Sequence, residues 1–92
     1  MLKVAYTVKM KWDVKRMRKR GKDMQKLDAA LRLLVAQTPM PGHYRDHRLT
    51  GKLSDFRECH IEPDWLLLYQ IFEDRLVLSA SGTGTHSDLF NE

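Results

Sequence analysis

The strongest constraint on the fold is a change of hydrophobic period at Thr38-Pro39-Met40-Pro41-Gly42. Before it, apolar side chains recur at helical spacing; after it, they alternate or run continuously, as strands do. Two prolines in three residues stop any helix that reaches them. The chain therefore joins a helical half to a strand-rich half, and with helices packed on one face of a sheet the expected class is α+β. Residues 1–92 are enough for one domain.

In the first half, Leu2 to Tyr6 alternates well enough for a short strand. From about Lys9 the stripe Met10, Val14, Met17 predicts a helix that Gly21 ends. Asp23 is placed to cap a second helix, whose apolar stripe is Met24, Leu27, Leu31, Leu34 and Val35. This αα-hairpin resembles a helix-turn-helix only loosely, because both helices are long and strands follow instead of a third helix. In the second half, residues 43–55 are polar and turn-rich and read as a loop. Phe56 to Glu62 alternates, Trp65 to Phe72 is apolar on both faces, and Leu76 to Ser81 forms a last strand. The short connections at Pro63-Asp64 and Glu73-Asp74-Arg75 predict an antiparallel meander.

Charge is unevenly spread. Residues 1–26 hold ten Lys/Arg against two Asp, a net of +8, while residues 27–92 hold six basic and ten acidic side chains, a net of −4. Such a basic segment is either a solvated helix face or a footprint for a polyanion or an acidic partner. The single Cys59 excludes an internal disulfide, and the longest apolar run, Trp65 to Tyr69, is far too short to span a bilayer. The expectation is a soluble, cytoplasmic domain with no membrane association.

Three chemistries compete for the four histidines. Metal binding has little pattern behind it: His43 and His47 have one-turn spacing in a turn-rich segment, Cys59 and His60 diverge on a strand, and no CxxC or HExxH is present. Nucleophilic acyl transfer would need an exposed thiol, yet Cys59 shares the apolar strand face with Ile61. General acid–base cleavage of RNA needs a base for the 2′-hydroxyl, an acid for the leaving 5′-oxygen and positive charge for the transition state. Histidines, Asp64 and nearby Arg48, Lys52 and Arg57 supply all three. Ser81-Gly82-Thr83-Gly84-Thr85-His86 adds a glycine-rich strand end directly before a histidine, where bulges leave the facing of side chains open.

Three segments carry a specific likeness: His47-Arg48-Leu49-Thr50-Gly51, Phe56 to Tyr69 (Phe-Arg-Glu-Cys-His-Ile-Glu-Pro-Asp-Trp-Leu-Leu-Leu-Tyr), and Thr83-Gly84-Thr85-His86-Ser87-Asp88-Leu89-Phe90. Together with the basic hairpin, they resemble the YafQ branch of the RelE/ParE toxin superfamily over nearly the whole chain. The resemblance implies a RelE-like, microbial-ribonuclease-like fold, with the N-terminal strand and αα-hairpin packed on a small antiparallel sheet. It implies a type II toxin that cuts mRNA in the ribosomal A site without metal or other cofactor. Its partners would be a DinJ-like antitoxin, the ribosome with its mRNA, and operator DNA reached through the antitoxin. By the same likeness His86 is the general acid, His60 or Asp64 the base, and His47 holds the phosphate. Glu58 stands where the family often has an acidic residue. Phe90 stacks on a base or plugs the C-terminus, and Lys15, Arg16 and Lys19 meet ribosomal RNA.

One position departs from the family. An arginine commonly precedes the Thr-Gly-Thr-His run, and here Gly82 stands in its place. A lost electrostatic contact of that kind costs on the order of 10²–10³ in rate, so an attenuated toxin is expected. The alternatives are a non-catalytic antitoxin-binding corepressor and a ParE-like inhibitor of DNA gyrase, against which the clustered histidines stand.

Overall fold

The computed structural model describes residues 1–91. Strand β1 (Lys3–Tyr6) leads into helices α1 (Val8–Lys19) and α2 (Met24–Val35), then β2 (His47–Arg48), β3 (Arg57–Glu62), β4 (Trp65–Phe72), β5 (Val77–Gly84) and a one-turn helix α3 (His86–Phe90). The hairpin forms as its sequence dictates. Asp23 caps α2 by accepting from the Gln25 N–H, and Gly21 adopts φ +82° between the helices. Thr7, whose role was not apparent from the sequence, caps α1 by accepting from the Met10 N–H.

The sheet order is β1-β5-β4-β3-β2. β3 to β5 form the expected antiparallel meander, and β2 adds an antiparallel strand at its edge. The N-terminal strand joins that sheet: β1 lies parallel to β5, with Lys3 opposite Val77 and Tyr6 opposite Ala80. The αα-hairpin is the crossover that makes a parallel neighbour possible. β2 arises inside the predicted loop, because His47 and Arg48 find partners on β3.

One sheet face packs on the helices and carries Cys59, Trp65, Leu67, Tyr69, Leu78 and Ala80 against Met10, Met17, Leu27 and Leu31, all buried. Burial pushes the Cys59 thiol up to about 12, which makes it a packing residue. Where β1 stops, α1 continues beside the edge of β5. The Thr7 N–H and hydroxyl donate to the carbonyls of Ala80 and Ser81 (3.1 Å each), and the buried Asp13 carboxylate accepts from the Thr83 N–H (3.1 Å). The edge groups that would otherwise lack partners are thus satisfied by the backbone and side chain of the N-cap Thr7 and by the Asp13 side chain.

Candidate active site

Register decides which side chains meet. His47 is paired with Glu58, Glu58 with Leu68, and Leu68 with Gly82; the next row on the same face runs His60, Leu66, Gly84. Directly opposed residues share a face, so His47, Glu58 and His60 line the face away from the helices. A bulge in β5 between the partners of Leu68 and Tyr69 keeps Gly82 and Gly84 on that face. α3 then carries His86 back over it.

Two histidine–carboxylate pairs result. The His86 N–H donates to Asp64 Oδ1 at 2.9 Å, and the His86 ring Nδ1 lies 2.6 Å from the same oxygen. The backbone donor, and next the ring, hold the Asp64 carboxyl below the ordinary aspartate value. A carboxylate at Nδ1 places a proton there and leaves Nε2 for the substrate. In the second pair, His60 Nε2 is 3.2 Å from Glu58 Oε1 and Nδ1 is 3.2 Å from the Pro63 carbonyl. Both ring nitrogens thus face acceptors, and a proton shared between Nε2 and Glu58 satisfies both groups. His47 Nε2 reaches the same Glu58 oxygen at 3.7 Å, while its Nδ1 contacts the Arg45 carbonyl at 2.6 Å. The three rings form a row, with centroids 6.3 Å apart from His47 to His60 and 5.8 Å from His60 to His86. His43 stands apart, stacked on Tyr44.

α3 is fixed from both ends. Thr85 accepts from the Asp88 N–H, and Asp88 accepts from the Thr85 N–H, a complete capping box. Asp88 is also gripped bidentately by Arg20 at 2.5 and 3.0 Å. Arg20, and after it the Thr85 donors, hold the Asp88 carboxyl far below the carboxylate range. Gly84 is required here: a Cβ would sit 2.9 Å from both Asp88 Cβ and Oδ2.

The structure brings His86, His60, Asp64 and His47 together. It adds Glu58, whose carboxylate lines a groove with His86 and Phe90. The sequence signal for Glu58 was its i, i+2 alternation with His60. Arg48 and Arg57 oppose each other and fall on the other face, where Arg57 bonds Asp46 (3.0 Å) and the Tyr69 hydroxyl (3.3 Å), itself bonded to Asp46. Lys52 is exposed on a 3-10 turn at Gly51–Leu53. On α1, Lys15 and Lys19 are exposed, with Lys15 over the ring of exposed Trp12 (5.2 Å), whereas Arg16 is committed to Asp13 at 3.1 Å. Over Gly82 the space is filled: a Cβ would lie 3.0 Å from Lys9 Nζ and 3.2 Å from Asp13 Oδ2.

Glu58, His60 and His86 each offer one ligand atom, all within 4.8 Å of one another, so this trio has the donor types of a transition-metal site. No helix among the described residues is long and apolar enough to cross a membrane.

Comparison with known proteins places these features in context. The family model described as "Bacterial toxin of type II toxin-antitoxin system, YafQ" matches residues 2–91. The mRNA interferase toxin YafQ of Escherichia coli K12 is 43% identical over 88 residues, 95% of this chain and 94% of that protein. The E. coli DinJ–YafQ complex contains a chain that superposes with a TM-score of 0.88 at 37% identity, covering 98% and 99% of the two chains. A metal-bound toxin from Helicobacter pylori superposes with a TM-score of 0.93 at 40% identity, covering 98% of this chain and all of that one.

Proposed function

This chain belongs to the YafQ family of bacterial type II toxins, and from that premise we propose that it is an endoribonuclease that cuts mRNA on the ribosome. The single observation that carries the reading is the pairing of Glu58 with His86 across one groove, atoms within 4.8 Å. Glu58 takes the proton of a ribose 2′-hydroxyl as that oxygen attacks the adjacent phosphorus. His86, oriented by Asp64 through Nδ1, gives the Nε2 proton to the departing 5′-oxygen. The products are a 2′,3′-cyclic phosphate and a 5′-hydroxyl, so no external oxidant, reductant or metal is consumed. His60 and His47 hold the Glu58 carboxylate in place, and after the cut Glu58 releases the proton it gained to water while His86 takes one back from water.

Phe90, which lines the groove with His86, stacks on an unpaired base. Lys15, Lys19 and Lys52 carry exposed charge towards ribosomal RNA. A DinJ-like antitoxin neutralises the protein in the cytoplasm and carries it to operator DNA. The test is a translation reaction in which mRNA 5′ ends are mapped with and without EDTA added after ribosome assembly at fixed free Mg²⁺. Cuts within codons that persist under selective transition-metal chelation and vanish with His86→Ala support the reading. Intact mRNA overturns it.

A further inference from the structure

A phosphodiester is an anion, and the proton-transfer groups Glu58 and Asp64 are carboxylates. The groove therefore needs a cation close to the substrate path. Arg48 and Arg57 lie on the opposite sheet face, and Arg57 is tied to Asp46. Arg16 and Arg20 are spent on Asp13 and Asp88. Lys9 is also bonded to Asp13, at 2.6 Å, but it is more exposed than Arg16 or Arg20. Its ammonium lies over the bare backbone of Gly82, the residue across Leu68 from Glu58, and its side chain is 56% exposed. Lys9 lines a groove with Leu68 and Ser81 that meets the His86–Glu58 groove at Leu53 and Phe90, which line both.

We propose that Lys9 is a phosphate-binding residue of the RNA site, holding a backbone phosphate on the far side of Phe90 from His86, and that Gly82 is small in order to seat it. This deepens the ribonuclease reading and rests on it. The anchoring is visible beneath the ammonium. Asp13 holds Lys9 Nζ at 2.6 Å but also accepts from Arg16 (3.1 Å) and the Thr83 N–H (3.1 Å). Lys9, Arg16 and Arg20 together face Asp13 and Asp88, three cations to two carboxylates, and Lys9 is the most exposed of the three. Such a lysine is held in place before substrate arrives, so less freedom is lost on binding. A Cβ at position 82 would crowd it, 3.0 Å from Lys9 Nζ and 3.2 Å from Asp13 Oδ2, so the ammonium would have to give way by a few tenths of an ångström. The charge whose absence at Gly82 predicts a weakened enzyme is accordingly delivered from α1.

The test combines two readouts on the full chain. In the first, mRNA cleavage in a translation reaction is expected to fall about 10²-fold in Lys9→Gln and to return to within a few-fold of wild type in Lys9→Arg. In the second, a short single-stranded RNA is bound by the free protein at varied KCl. Lys9→Gln should flatten the log–log salt slope by about 0.7, the value for one single-strand phosphate contact. The unfolding midpoint should stay near wild type, because Asp13 keeps Arg16 and Thr83. Wild-type cleavage with an unaffected Lys9→Gln rate and slope overturns the assignment. A rate loss with an unchanged slope and a lowered midpoint also overturns it, by making Lys9 a structural partner of Asp13. Absence of cleavage by the wild type would instead overturn the ribonuclease reading, leaving the salt slope to judge Lys9 alone.

Discussion

Asp64–His86 and Glu58–His60 join the same chemical groups in two settings. In the first pair both side chains are open to solvent, 65% and 40% exposed; in the second both are nearly sealed, at 6% and 8%. An exposed ion pair contributes little to stability, because water screens it and its side chains lose entropy. Asp64 is therefore better understood as an aiming device for His86 than as a source of fold stability. A sealed pair behaves oppositely: removing one partner strands the other in a low-dielectric site. In the proposed reaction the open pair would serve the leaving group and the sealed pair the attacking hydroxyl.

Glu58→Gln is the hardest blow to this contrast. It keeps the shape and a hydrogen bond to His60 but removes the proton acceptor, so single-turnover mRNA cleavage should drop by about 10²–10⁴. A fully active Glu58→Gln protein would demote the sealed pair to scaffolding. Asp64→Asn should cost less, about tenfold in the same assay, through loss of the charge-assisted hydrogen bond that aims His86. The same pair has a pH signature. Because Asp64 titrates below the ordinary aspartate value of 3.8 in the folded chain, its grip on the His86 N–H is complete above that value and is lost as pH falls through the depressed one. The His86 amide resonance should report an inflection below pH 3.8 that Asp64→Asn abolishes; an inflection above it would contradict the contact. The mildest probe is Thr85→Ala, which removes the α3 cap and should lower stability by about 1 kcal/mol in urea unfolding. A loss near zero would mean that Arg20–Asp88 alone holds α3.

The sequence announces the parts of this design that are local. Asp23 and Gly21 mark helix ends, and Glu58 and His60 declare a common face by alternation, because caps and strand parity are decided within a few residues. What it conceals depends on distant pairing. The parallel place of β1 joins residue 3 to residue 77, and no local pattern encodes it. Arg48 and Arg57 look like site cations because they adjoin His47 and Glu58, yet adjacency on a strand means opposite faces. Lys9 looks like one more member of a basic helix, and only the seating of α1 along β5 sets it over Gly82. Gly82 itself reads as a loss until its neighbour across 73 residues of chain is seen.

The fastening of the last helix to the first has an entropic meaning. His86 is held over Glu58 by Asp88, which is held by Arg20, a contact separated by 68 residues. β2 to β4 pair across short separations, whereas the Arg20–Asp88 clasp, like the pairing of β1 with β5, closes nearly the whole chain, and the loop entropy of such contacts is larger. A molecule whose ends have not met would hold Glu58 and His60 on their strand without His86 set over them. The row of three histidines is completed only by contacts between the two ends of the chain.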